Sequence, residues 1–157
     1  MSRIIGIRVT PSLIYYSIIE INDSKFIFNN QQLIIPKSFD IPQKLKYIRK
    51  TFLDIFNEYN VEFAGIRITE FSAFGSPDTD RVMIEGVIQE MIASSPVISY
   101  FTGVKSSIGK RLGIPNDGSI SAIMNGIDSF LDIQEWKQFK VEHRESLMVG
   151  LASFNKN

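Results

Sequence analysis

The sequence predicts an α/β fold with one five-stranded mixed sheet, three antiparallel strands followed by parallel ones, and helices on both faces. Strand-like segments joined by short turns come first, and helical segments then alternate with short apolar strands. The composition, 44% hydrophobic and 22% charged among 157 residues, is that of a globular chain able to bury one core. We therefore expect residues 1–157 to form a single domain.

The first third of the chain is rich in β-branched and aromatic residues, which favour strands. We predict three strands here, over residues 3–9, 13–21 and 26–35. Turn-forming residues separate them around Pro11 and Asp23, and Pro36 ends the third strand. Connections this short favour an antiparallel meander.

Apolar residues then recur every three or four positions over residues 40–60, as on one face of a helix, and Asp40 suits its N-cap. The apolar run at residues 61–68 is typical of a buried parallel strand. Beyond a loop we predict, in order, a helix, a strand, a short basic segment and two helices: residues 79–95, 97–101, 104–112, 117–130 and about 141–154.

Composition excludes several classes of chemistry. The chain has no cysteine, so disulfides, thiolate zinc sites and cysteine nucleophiles are excluded. Lys plus Arg and Asp plus Glu both total 17, so any basic surface for nucleic acid must be local. No apolar run approaches the roughly 18 residues of a membrane span, and Arg8 interrupts the first apolar stretch. We expect a cytoplasmic protein with no membrane partner.

Short motifs are spread in order over nearly the whole chain. The first and second strands contain Ile4-Ile5-Gly6-Ile7-Arg8-Val9-Thr10 and Ile14-Tyr15-Tyr16-Ser17-Ile18-Ile19-Glu20. Later motifs are residues 64–68 followed by Phe71 and Phe74, residues 81–88, residues 103–110 and residues 142–152. Taken together, they resemble the RuvC-like Holliday-junction resolvases of the ribonuclease-H-like superfamily, whose first strand reads approximately Ile-Leu-Gly-Ile-Asp-Pro-Gly.

The resemblance implies a degenerate active site. Nucleases of this family hold two divalent cations between carboxylates of the first strand, the fourth strand and the last helix. By this resemblance Arg8 replaces the first-strand aspartate and Arg67 the fourth-strand glutamate, while Glu142 and Glu145 remain on the last helix. Because arginine keeps its positive charge in proteins, we expect no metal and no cofactor. We expect the two arginines to pair with Glu145 or Glu142; the alternative is that these acids lie on the surface.

Two residues keep a nuclease alternative open. A three-residue slip in the alignment would let Glu70 replace the missing fourth-strand acid, and Mg²⁺ would then be the cofactor. His143 is the only histidine and lies within the final motif. It is either a residual catalytic group or an ordinary helix residue, and the second interpretation is favoured.

A short basic segment is the candidate nucleic-acid contact. Small hydroxyls and basic side chains at a junction of loop and helix suit a backbone phosphate, although a solvated surface explains them equally well. The residues are Lys105, Ser106, Ser107, Lys110 and Arg111.

The predicted function is that of a catalytically inactive RuvC-like protein, which binds branched or otherwise structured nucleic acid or is a scaffold in a larger assembly. The resemblance also implies a homodimer packed through helices, for which residues 79–95 are the candidate. Two alternatives remain: an active metal-dependent, structure-specific endonuclease with rearranged acids, and a pure protein-interaction module.

Overall fold

The computed structural model describes residues 1–72 and 75–155, so Phe74 of the fourth-strand motif lies outside the described residues. The five strands are β1 (Ser2–Val9), β2 (Leu13–Asn22), β3 (Lys25–Ile34), β4 (Phe63–Arg67) and β5 (Ser99–Gly103). The five α-helices are α1 (Ile41–Tyr59), α2 (Thr79–Ser94), α3 (Lys105–Arg111), α4 (Ser119–Met124) and α5 (Val141–Phe154). A single 3-10 turn, Trp136–Gln138, precedes α5.

All five strands form one mixed sheet in the order β3-β2-β1-β4-β5. The first three strands pair antiparallel, and β4 and β5 pair parallel to β1 and to each other. The predicted sheet is therefore confirmed. Parallel pairing places the carboxyl ends of β1 and β4 at the same edge, which we call the carboxyl edge, where Arg8 and Arg67 are register partners.

Helices cover both faces of the sheet, as predicted. On one face, α1 and α2 bury residues such as Phe52 and Ile88 against the strands. On the other face, α5 is packed on the sheet, with α3 and α4 beside it, through residues such as Leu147 and Ile108. Within residues 1–72 and 75–155, no helix combines the length and apolar character that crossing a bilayer requires.

Two of the predicted elements whose bounds differ in the structure show why they differ. The fifth strand was expected at residues 97–101 and is Ser99–Gly103, because Ser99 pairs with the first residue of β4, Phe63. The helix expected at 117–130 was too long, since α4 ends at Met124. Gly126 adopts a positive φ of 74° there, and the Trp136 indole donates to the carbonyl of Ile123 at 2.9 Å, which turns the chain back.

Glycines let α5 lie directly against the sheet. A Cβ atom on Gly6 would be 1.8 Å from the carbonyl oxygen of Ser146, and one on Gly65 would be 2.2 Å from that of Val149. The backbone of α5 therefore contacts the backbones of β1 and β4 at these positions. This close approach brings Glu145, near the start of α5, to the carboxyl edge of the sheet.

Candidate functional site

The carboxyl edge of the sheet holds an ion-pair cluster of Arg8, Arg67 and Glu145. Arg8 donates from Nε to Oε2 of Glu145, and Nε of Arg67 lies 3.6 Å from Oε1 of the same carboxylate. The Glu145 side chain is only 10% exposed. The structure thus brings together three of the four residues that the family resemblance placed in the site.

The Nη1 donors of the two guanidinium groups are turned toward the backbone, while Nη2 of Arg67 lies 3.2 Å from Oε1 of Glu70. Nη1 of Arg8 donates to the carbonyl of Val9, and Nη1 of Arg67 donates to that of Ile68. Nε of Arg67 is buried and has no hydrogen-bond partner among the described residues, because 3.6 Å from Glu145 is too long for one. The attraction of Arg67 to Glu145 is therefore coulombic, and Glu145 is the carboxylate that the two arginines share.

Glu142, the other acid of the last helix, is not in the cluster. Within the part of the chain that the structure describes, no ion pair joins it to Arg8 or Arg67; its charge acts on its neighbours His143 and Arg144. Arg144 is buried and donates to the carbonyls of Met124 and Phe139. No sequence motif indicated this role for Arg144, which holds the segment before α5 in place.

A second ionic group, which the sequence patterns also missed, lies beside the cluster. Glu85 of α2 is 3% exposed and accepts hydrogen bonds from the Thr69 amide (2.9 Å), the Thr69 hydroxyl (2.9 Å) and Nε of Arg81 (2.8 Å). Burial is the largest cause that lowers the pKa of Arg81, and repulsion from Arg8 is the next. Glu85 raises this pKa, whereas repulsion from Arg67 lowers it further. Three guanidinium groups therefore act on one another at the carboxyl edge. The four-residue spacing of Arg81 and Glu85 was the available signal.

Glu70 lies at the solvent side of the same edge. Its Oε1 atom accepts a hydrogen bond from the Lys105 amide at 2.8 Å and lies 3.2 Å from Nη2 of Arg67. The Glu70 side chain is 44% exposed. The acid that the nuclease alternative requires is therefore near the site, but a guanidinium and a backbone amide already hold its carboxylate.

His143 packs against the sheet. Its Nε2 lies 3.1 Å from the carbonyl oxygen of Gln31, and its ring meets that of Tyr15 edge-on at a centroid distance of 4.8 Å. Burial lowers the pKa of His143, and Lys140 lowers it further, although the Gln31 carbonyl acts in the opposite direction. The contacts of the ring with the Gln31 carbonyl and with Tyr15 favour the interpretation as an ordinary helix residue.

Two members of the predicted phosphate contact are held by the protein itself. The Ser107 hydroxyl accepts from the Val104 amide at 3.0 Å and donates to the Val104 carbonyl at 2.9 Å, so it caps α3. Arg111 stacks over Phe101, 4.0 Å from the ring centroid, and donates to the carbonyl of Ala152 at 3.3 Å. Ser107 also lines the open cavity beside α3, but the hydrogen bonds of its hydroxyl are made with Val104.

Lys105, Ser106 and Lys110 are the members that line open cavities and whose side chains make no hydrogen bond within residues 1–72 and 75–155. Ser106 and Lys110 line an open cavity of about 510 Å³ beside α3. Lys105 and Ser106 also line a cleft of about 550 Å³ that extends to Glu70 and Phe71. These three residues are the part of the predicted segment that is placed to contact a phosphate.

Solved structures share this fold. A Thermus thermophilus RuvC structure matches with a TM-score of 0.68 at 9% identity, over 94% of this chain and 90% of that one. T. thermophilus RuvC in complex with a Holliday junction substrate matches with a TM-score of 0.67, at the same identity and coverage. The yeast mitochondrial Holliday junction resolvase Ydc2 matches with a TM-score of 0.60 at 13% identity, over 98% of this chain and 79% of that one.

No protein-family model and no curated protein sequence matches the chain. The predicted RuvC-like, ribonuclease-H-like fold is confirmed.

The side chains at the carboxyl edge do not fit the pair of divalent cations that the family resemblance implies. Hard cations require oxygen ligands, anionic ones above all. Here Arg8 and Arg67 flank both oxygens of Glu145. In residues 1–72 and 75–155, no group of three or more histidine, aspartate or glutamate side chains is placed to hold a metal ion. Two fixed positive charges at the strand ends would also repel the cations.

Proposed function

We propose that this chain is a catalytically inactive RuvC-like protein that binds branched or otherwise structured nucleic acid. The observation that carries the proposal is the ion-pair cluster, in which two arginines at the ends of β1 and β4 neutralise the acid of α5. The proposal treats residues 1–157 as one domain of this kind.

Loss of cleavage follows from the charge of the site. Two-metal hydrolysis needs one cation to generate the attacking hydroxide and another to stabilise the leaving oxygen. Each arginine places a positive charge where the resemblance implies a negative ligand, a change of about four charge units in total. The side chains of this site therefore do not support two-metal chemistry.

Retention of nucleic-acid binding is supported by what surrounds the ion-pair cluster. Arg81 lies at the same edge, and Lys105 and Lys110 face the open cavities beside it. Contacts from lysine, arginine and small hydroxyls to phosphate oxygens position proteins on nucleic acids without metals. The shared fold is seen bound to a Holliday junction substrate in T. thermophilus RuvC, which makes a four-way junction the first ligand to test.

A binding titration tests the proposal. Fluorescence polarisation should show that a labelled four-way DNA junction binds more tightly than a linear duplex of equal length. If about three phosphates are neutralised, raising the salt from about 50 to 200 mM should weaken binding roughly 40-fold. The double variant Lys105→Ala/Lys110→Ala should reduce the slope of log affinity against log salt by about 2.

The matched control is Lys25→Ala/Lys50→Ala, which removes two exposed lysines, one at the start of β3 at the opposite end of the sheet and one on α1, and should leave the slope unchanged. Binding that does not respond to salt would contradict the proposal. Absence of binding to both DNA forms at low salt would leave the protein-interaction module as the remaining function.

A further inference from the structure

We propose that Glu70 stands in for a phosphate group: a backbone phosphate of bound nucleic acid displaces its carboxylate from Arg67 and from the Lys105 amide. The inference rests on the proposed function and names the group of the ligand that enters the site. Glu70 is then an internal competitor, whose release is coupled to binding.

The contacts of Glu70 are those that a phosphate oxygen would make. A single carboxylate oxygen, Oε1, receives the Lys105 amide at 2.8 Å and faces Nη2 of Arg67 at 3.2 Å. Guanidinium groups and backbone amides are the donors that proteins use for phosphate. The arrangement is therefore an anion site that is occupied by a side chain of the chain itself.

Glu70 is the acid of this edge that can leave at the lowest cost. Glu85 is 3% exposed and held by three donors, and Glu145 is buried between two arginines. Removing either acid from its partners would leave charge buried without compensation. Glu70 is 44% exposed, so water can solvate its carboxylate after it leaves, and the cost of separation falls on Arg67 alone.

The position that Glu70 would vacate remains attractive to an anion. Arg67 is 8% exposed, and its Nε atom lacks a hydrogen-bond partner among the described residues. Without Glu70, Arg67 would share Glu145 with Arg8, which leaves two guanidinium groups and one carboxylate. An uncompensated buried guanidinium group is costly, so the site favours a new anion over water.

The cleft beside Glu70 gives a phosphate group more donors than a carboxylate uses. It has a volume of about 550 Å³ and is lined in part by Lys105 and Ser106. Glu70 contacts the Lys105 amide and Arg67 through one oxygen, whereas a phosphate also presents oxygens to the Lys105 ammonium and the Ser106 hydroxyl. These extra contacts would make the site bind a phosphate more favourably than the Glu70 carboxylate, and this difference would drive the exchange.

Substitutions that remove a negative charge but keep the size of the side chain test the displacement. Glu70→Gln should bind the labelled four-way junction about fivefold more tightly than the wild type, because no charged competitor has to leave. The matched control is Glu20→Gln, which removes the same charge from an acid that is 31% exposed and paired with Arg3 at 3.5 Å. Glu20 pairs with Arg3 near the opposite end of β1, so its variant should bind within about twofold of the wild type.

A second measurement separates displacement from a general effect of charge. The Lys105 amide resonance of the wild type should shift when the junction is added, because its acceptor changes from carboxylate to phosphate. The amide of Gln43 is the control, since it is bonded to the Asp40 carboxylate at 2.9 Å at the start of α1 and should not shift. A Lys105 resonance that stays unchanged while the junction is bound overturns the inference.

The failure of this inference differs from the failure of the proposed function. Equal junction affinity of the wild type and Glu70→Gln overturns the displacement alone, because nucleic-acid binding is then intact. Absence of junction binding by both proteins overturns the proposed function and the displacement together.

Discussion

Replacement of Glu145 with alanine is expected to lower the free energy of unfolding by about 3–5 kcal/mol. The reason is the geometry of the ion-pair cluster, in which one buried carboxylate neutralises both Arg8 and Arg67. Without it, two guanidinium groups at the carboxyl edge lose their shared counter-charge, and Glu70 at the solvent side contacts only Arg67. Urea denaturation followed by circular dichroism measures the change.

Glu142→Ala is the matched control, because it removes the same side chain one helical turn away and outside the cluster. We expect the free energy of unfolding of this variant to stay within about 0.5 kcal/mol of the wild type. If Glu145→Ala has as little effect as Glu142→Ala, the ion-pair cluster does not stabilise the protein.

Gly6→Ala should have an effect of similar or greater size, about 4 kcal/mol or more. The added Cβ atom would lie 1.8 Å from the carbonyl oxygen of Ser146 and 2.7 Å from the Gly150 amide nitrogen. Both are backbone atoms of α5, so no side-chain rotation relieves the overlap, and the helix must move away from β1. This movement would also separate Glu145 from Arg8. A thermal melt should therefore show a large decrease in Tm.

Gly86→Ala provides the comparison for this prediction. Gly86 lies within α2, and a Cβ atom placed on it meets no atom within 4 Å. Alanine is favoured over glycine in a helix by up to about 1 kcal/mol, so Tm should stay unchanged or rise. Equal melting temperatures of Gly6→Ala and Gly86→Ala would contradict the described packing of α5 on the sheet.

Local patterns were sufficient for most of the fold. Helix α1 was predicted within one residue at each end, because Asp40 caps it and its apolar stripe is regular. The neighbouring positions of Arg8 and Arg67 followed from the family resemblance together with a parallel strand pair. These predictions depend on periodicity, on turn residues and on strand ends, which can all be recognised in the amino-acid sequence.

The missed parts of the site depend on tertiary contacts. Glu85 occupies a buried position between Ile84 and Ile88, where the helical pattern predicts an apolar side chain. Its burial becomes explicable only when Thr69 arrives from another part of the chain and joins Arg81, which lies one turn earlier on the same helix. The spacing of Arg81 and Glu85 is visible in the sequence, but the contact of Glu85 with the remote Thr69 leaves no regular signal there.

The prediction for the basic segment was incomplete for a similar reason. Ser107 and Arg111 have the residue types of phosphate contacts, but Ser107 caps its own helix and Arg111 is stacked on Phe101. Composition cannot distinguish a side chain held by the protein from one that is free to bind a ligand. The α3 residues that line open cavities without a side-chain hydrogen bond among the described residues, Lys105, Ser106 and Lys110, are therefore the ones to test for phosphate contact.

We propose that this site holds nucleic acid without cutting it. The most direct test incubates the wild-type protein with an end-labelled four-way junction and Mg²⁺ or Mn²⁺, at a concentration where polarisation shows that the junction is bound. We expect intact strands on a denaturing gel, because Arg8 and Arg67 exclude the metal pair. Metal-dependent cleavage products that disappear in Glu145→Ala would contradict the account.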